Sequence, residues 1–135
     1  MTVQIQQKEI NAEAILDTIR SLNQLKGLDM ILDHTLRAAR TMANAEAGSI
    51  YLFKDNTLLF SHVQNDTIFG KQGAGAQRYS DLSIPVTSDT IVGYSALTKQ
   101  VIVTDDAYGI PATLPYHFNA FFDKENNYRS VSILT

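Results

Sequence analysis

The sequence predicts an α+β domain, a sheet with helices on one face or both in which consecutive hairpin strands pair. Three observations predict it. Apolar residues recur at helical spacing through the N-terminal part, at Ile15, Ile19, Leu22 and Leu25 and again at Leu28, Leu32, Leu36, Ala39 and Ala43. Two strand-like runs then flank an Asp55-Asn56 pair. The remainder alternates short β-rich and helical stretches, so the order is helices, hairpin, strand, helix, strand, helix, strand.

Residues 1–9 are polar. Asn11 is placed to cap a helix running to about Lys26, and Gly27 stands where helices usually end. The stripe of this helix is narrow. The second helix is expected from Leu28 to Ala43, and Ile31 and Met42 widen its inner face. Because that helix already offers a full core face, the first one suits a partner's equivalent helix. An N-terminal dimerisation and signalling helix, residues 1–27, is thereby set apart from the domain proper, residues 28–135.

Gly48 to Phe53 alternates as a strand, Asp55-Asn56 turns the chain, and Thr57 to Val63 returns it. Gly70, Gly73 and Gly75, among Lys71, Gln72, Gln77 and Arg78, read as a flexible loop. Leu82 to Val86 is a short strand in which Pro85 marks an edge or a bulge. Ser88 and Asp89 are good N-cap residues for a helix carrying Ile91, Val92, Tyr94, Ala96 and Leu97. Val101-Ile102-Val103 is the next strand, ended by Thr104-Asp105-Asp106. Pro111 and Pro115 flank an irregular helical segment reaching about Phe122. Asp123 to Asn127 reads as an exposed turn. Arg129 to Thr135 reads as a final β-rich run that buries Val131 and Ile133, with Tyr128 a further candidate. The chain stops inside what reads as a central strand, as if the last strand and helix of the domain lay beyond Thr135.

The bulk numbers fit one ordinary globular domain: 135 residues, 44% hydrophobic and 19% charged. A net charge of −3 argues against a nucleic-acid partner, which needs a basic surface to release counterions. No cysteine is present, which removes disulfides, thiolate metal sites and thiol chemistry together. The polar N-terminus is not a signal peptide, and no apolar run approaches the length of a membrane span. A cytoplasmic location is expected. Asn65-Asp66-Thr67 matches a glycosylation sequon and is treated as chance in that setting.

His34, His62 and His117 are far apart and form no HExxH-like pair, which favours ordinary polar histidines over metal ligands. The Gly70–Arg78 segment lacks the ending of a P-loop; it reads as a mobile loop or as a gate over a nearby pocket. No serine stands beside a base or in a GxSxG turn, so no catalytic residue is assigned. Asp105 and Asp106 would point apart if extended, one capping the following turn and the other solvated. The helix start after Ser88 offers free N–H groups to an anion. Tyr108, Tyr116, Phe118, Phe121 and Phe122 read first as core aromatics, and Tyr108 is the best placed to stack on a flat ring ligand.

IVGYSALTKQVIVTDDAY, followed by FDKENNYRSVSILT, resembles the GAF domain. GAF domains are small-molecule sensor modules of cyclic-nucleotide phosphodiesterases, adenylate cyclases and bacterial signalling proteins. The family pattern runs I-V/A-G-x-x-A-x-x-G, then a strand, then D-A-Y, then F/V-D-x-x-T-G-Y-x-[ST]-x-[SN]-[IM]-L. Ile91-Val92-Gly93, Ala96-Leu97, Asp106-Ala107-Tyr108, Phe122-Asp123, Tyr128-Arg129-Ser130 and Ser132-Ile133-Leu134 match it. AGSIYLF and HVQNDT resemble the GAF domains attached to bacterial HD-type phosphohydrolases and nucleotide cyclases. The resemblance covers about Ile15 to Thr135. Lys99 and Asn127 stand where the pattern has glycine; asparagine tolerates the left-handed backbone needed there, whereas Lys99 is expected to shift its turn.

The resemblance implies a PAS-related central antiparallel sheet with helices on both faces, its last strand and helix absent from this chain. It implies a non-catalytic domain that senses a small molecule, with a cyclic nucleotide as the candidate ligand. The phosphate would lie against the N–H groups of Ile91 and Val92, with Tyr108 as the aromatic and Ser49 as the first-strand serine. Asn65 falls near the position of a base-reading aspartate, so an amide stands where an acid is typical, and the choice between guanine and adenine stays open. Without cysteine, covalent bilin and methionine-sulfoxide reductase activity are not expected; haem through a histidine stays open. A homodimer through the N-terminal helix is implied, with an output domain such as an HD phosphohydrolase or cyclase outside the chain. A ligand-free structural module is the alternative, and an enzyme in its own right lacks a supporting constellation.

Overall fold

The computed structural model describes residues 12–20, 27–70, 79 and 81–135. The expected cap Asn11, the apolar Leu22 and Leu25, residues 1–9, and the Gly70–Arg78 loop beyond Gly70 lie outside the described residues. The chain divides into two compact units, Met1–Ile50 with His62–Gly75, and Tyr51–Ser61 with Ala76–Thr135. The fold is mixed α+β with small antiparallel sheets.

In the first unit residues 12–20 are helical (α1). Ile15, Leu16 and Ile19 are each about half exposed. The small Ala14 and Thr18 instead line a shallow depression together with His34, Ala38 and Met42. The second helix, α2, runs Leu28–Ala43, the bounds that the apolar periodicity predicts. Gly27 precedes it at φ +89°, and Asn44 closes it in the left-handed region. The expected inner face is corrected: Leu28 is 67% exposed, whereas Leu36 and Arg40 are the buried residues. The helix is turned so that Leu36 and Arg40, one turn apart, point inward. A buried arginine occupies the place that Ala39 and Ala43 were expected to take, because acceptors meet it there.

The hairpin follows the sequence closely. Strand β1 is Ala47–Lys54 and β2 is Thr57–Asn65. Asp55 and Asn56 between them both adopt positive φ, +50° and +58°, the left-handed pair that matches strand twist in a two-residue turn. Alternation in β2 ends in three consecutive buried residues, Val63, Gln64 and Asn65. Asn65 caps the four-residue helix α3, Asp66–Phe69. Strand β3, Ser83–Pro85, lies antiparallel to β2 with Leu58 opposite Ile84. Pro85 ends an edge strand, where its missing N–H costs no ladder bond.

In the second unit α4 spans Ile91–Thr98. Its cap is Thr90, not Ser88 or Asp89: the Thr90 hydroxyl accepts from the Gly93 N–H at 3.1 Å. Thr87 and Asp89 instead bond each other, Oγ1 to Oδ2 at 3.2 Å. Lys99 closes α4 at φ +57° and donates its N–H to Ser95 O, so it accommodates the turn rather than shifting it. Strand β4 is Val103–Thr104, paired antiparallel with β5, Ile133–Leu134. Ile102 and Thr135 exchange backbone hydrogen bonds beside them. Two expectations are corrected. Val131, expected to be buried, is 61% exposed. Among the described residues there is also no single central sheet: β1-β2-β3 and β4-β5 are separate. Strand β4 gives way after two residues to a 3-10 turn, Ala107–Gly109, that Asp106 caps.

The stretch between Pro111 and Phe122 forms turns instead of the expected helical segment, since each proline lacks an N–H. The expected exposed turn Asp123–Asn127 is mostly helix, α5, Phe121–Asn126. Among the described residues no helix is long and apolar enough to cross a membrane.

Candidate functional site

Asp123 gathers hydrogen bonds from two other stretches of the second unit. It is 2% exposed. Its carboxylate accepts from the Tyr108 hydroxyl at 2.7 Å, from the Ser130 N–H at 2.7 Å and from the Ser130 hydroxyl at 2.9 Å. Three donors replace the water lost on burial. The backbone around it is shaped to deliver them. Asp106 caps the 3-10 turn through the Tyr108 N–H at 3.0 Å, and Ala107, 1% exposed, donates to Val131 O. Asn127 turns the chain at φ +47°, sending Tyr128 N–H back to Asp123 O and bringing Ser130 to the carboxylate.

Tyr108 is 43% exposed. The Phe118 ring meets it edge-on at 4.9 Å, and the Arg129 guanidinium lies 4.4 Å from its ring centre. Its phenol is held above the ordinary value, first by the hydrogen bond to Asp123, then by burial and the Asp123 charge, with Arg129 acting against them. Tyr108 is therefore a neutral donor to a carboxylate. One ring face is already occupied by a cation, and the carboxylate beneath has its oxygens engaged, which suits it to holding structure more than to proton transfer.

The start of α4 is the second element. Ile91 is buried and Val92 half-buried. Thr90 takes the N–H groups of Gly93 and Tyr94. Residues 116–118 tie this start to Tyr108. The Tyr116 ring lies 5.0 Å from that of Tyr94, His117 N–H donates to Asp89 O at 3.0 Å and bridges Thr90, and Phe118 packs on Tyr108.

The other two expected residues belong to the first unit. Ser49 is a half-buried residue of β1. Asn65 is 1% exposed, and its Oδ1 accepts from the N–H groups of Thr67 and Ile68 at 3.0 and 3.1 Å. The amide is thus used as a helix cap, and its buried Nδ2 has no partner among the described residues. Beside it Arg40, 7% exposed, donates to Gln64 Oε1, to Glu46 O and to Asp66 Oδ1. Arg40, Asp66, Glu46 and Asn44 edge a polar depression of about 490 Å³ that neither Ser49 nor Asn65 lines.

Of the five expected residues, Ile91, Val92 and Tyr108 share a unit and are linked through 116–118, while Ser49 and Asn65 stand in the other. Residue-by-residue reading missed Asp123, Arg40 and Gln64. Arg40 carried a signal: it continues the Leu32, Leu36 spacing, and a charge on an apolar stripe requires buried acceptors. Asp123 carried none in its neighbours. Among the described residues no three His, Cys, Asp or Glu side chains gather as metal ligands. In comparison with known proteins, the chain matches no family model and no curated protein.

Proposed function

We propose that the chain is a GAF-like regulatory domain. It binds a small molecule without transforming it and relays the bound state to an attached output domain of a cytoplasmic signalling protein. One observation carries the reading. The Asp123 carboxylate joins three separated stretches on which the resemblance rests: D-A-Y through Tyr108, F-D through Asp123 and Y-R-S through Ser130. Their recurrence as a set then has a physical cause, since each stretch supplies one part of a buried bond cluster. The α4 start adds the N-terminus of a helix that opens at Ile91, where the dipole favours an anion. On this reading a cyclic nucleotide sets its phosphate there, and its base lies towards Tyr108. Binding shifts the domain between two states only by its preference for one of them.

Calorimetric titration of the chain with cyclic AMP and cyclic GMP tests the reading. Saturable heat with either, accompanied by a rise in melting temperature, is the expected result. Silence with both sinks the cyclic-nucleotide proposal. Two observations favour a second reading, a ligand-free module that dimerises and transmits. Arg129 already covers the Tyr108 ring, and the Asn65 side chain is committed to α3.

A further inference from the structure

We infer that Arg40 is an all-or-none latch coupling α3 to the C-terminal half of α2. This goes beyond the ligand reading and rests on it only for the regulatory meaning of the coupling. The guanidinium is buried, and its acceptors come from three places in the chain. Gln64 Oε1, at 2.9 Å, comes from the penultimate residue of β2, next to Asn65. Asp66 Oδ1, at 2.8 Å, opens α3. Glu46 O belongs to the turn before β1. The arginine stem lies across Gly48, where a Cβ would come within 3.1 Å of Arg40 Cγ, so the glycine makes the room.

Gln64 closes the circuit back onto α2. While its Oε1 accepts from Arg40, its Nε2 donates to Asp33 O at 3.0 Å and to Asp33 Oδ1 at 2.8 Å. The helix is thus gripped at Asp33 and at Arg40, two turns apart, by one side chain of β2. On the other side, α3 is fixed by Asp66 to Arg40, by Asp66 N–H to Glu46 O at 3.0 Å and by the Thr67 hydroxyl to Glu46 Oε2 at 3.2 Å.

A buried cation makes such a network cooperative. If α3 moves and takes Asp66 with it, the charge of Arg40 is left desolvated against neutral partners, which costs far more than one bond. Arg40 must then repack, and α2 with it. A displacement at α3 is in this way passed to α2 as a discrete change.

Amide hydrogen exchange on the whole chain, read by NMR without any nucleotide, tests the latch and is independent of the calorimetry. In Asp66→Asn the Thr67 and Ile68 amides of α3 exchange roughly tenfold faster, and the Ala45 amide at the end of α2 accelerates by a similar factor. The Lys99 amide of the second unit stays unchanged. Arg40→Lys, which keeps the charge but cannot reach three acceptors, produces the same pattern and serves if the first variant does not fold. Acceleration confined to Thr67 and Ile68 overturns the proposal, because α3 would then move alone. Uniform acceleration that includes Lys99 overturns it too, because the pair would then contribute to general stability and not to coupling.

Discussion

A single carboxylate sets the properties of the residues around Tyr108. Asp123 is 2% exposed and accepts three hydrogen bonds. Asp123→Ala leaves the Ser130 N–H with no acceptor and removes charge-assisted bonds, so the chain loses about 3 kcal/mol in denaturant unfolding. A loss within the usual surface range would show that water replaces the carboxylate. Tyr108 gives an independent reading of the same contact. Its phenol lies above the ordinary tyrosine value, chiefly because it donates its proton to Asp123 in a hydrogen bond. A group whose folded pKa is raised holds its proton longer in the folded chain. Its contribution to stability is therefore complete below about pH 10 and is lost as pH climbs through the raised value. The phenolate difference spectrum between the parent and Tyr108→Phe should show this late-titrating tyrosine. In Asp123→Asn the same tyrosine should titrate earlier, since the raising influences fall away while Arg129 remains. Unchanged titration would mean that the short Tyr108–Asp123 contact does not persist in solution.

At the level of elements, helix α4 shows how local and tertiary demands meet. A Cβ on Gly93 would lie 2.7 Å from Thr87 O and 2.9 Å from Pro85 O, both backbone atoms that cannot rotate away. Gly93→Ala should therefore cost about 2 kcal/mol, measured as a fall in thermal or denaturant midpoint. Gly48→Ala meets only side chains, Leu36 and Arg40, and should cost less. The reverse ordering would show that the Arg40 stem is the stiffer neighbour. At the end of α4, Lys99 holds φ +57° without the tolerance of asparagine or glycine. Lys99→Gly is expected to stabilise by about 0.5–1 kcal/mol, and Asn127→Gly to be near neutral. The sequence makes some of these elements plain and hides others for a physical reason. Helix α2 and the β1–β2 hairpin were legible because long runs of one period and an Asp-Asn turn encode them locally. Helix α5 was not, since Asp123-Lys124-Glu125-Asn126-Asn127 has the composition of a solvated turn. The burial of Asp123 comes from Tyr108 and Ser130, fifteen and seven residues away, and no window of local sequence contains both partners.

For the whole molecule, the legible part was the class, α+β, and the less legible part was how the strands group. Short strands such as β4 and β5 are defined by their partners more than by their two residues each. The same limit applied to the candidate site: the α4 start was visible as a capped apolar run, but the carboxylate joining the motifs was not. Assembly is the remaining question at this scale, and α1 frames it. Ala14 and Thr18 lie on the side of the helix that meets α2 residues, while Ile15, Leu16 and Ile19 stay about half exposed. Ile15 and Ile19 are one helical turn apart, so together they present a narrow apolar ridge. Leaving such a ridge in water forfeits about 25 cal/mol per Å² of apolar surface that a second copy would cover. We expect the chain to run in multi-angle light scattering at twice its 15.0 kDa mass. Ile15→Asp with Ile19→Asp should return it to the single-chain mass. Because both residues face outward, the hydrogen exchange of Ala45 and Lys99 should barely change. A parent already at single-chain mass, or a double variant that stays paired, would remove α1 as the dimerisation helix.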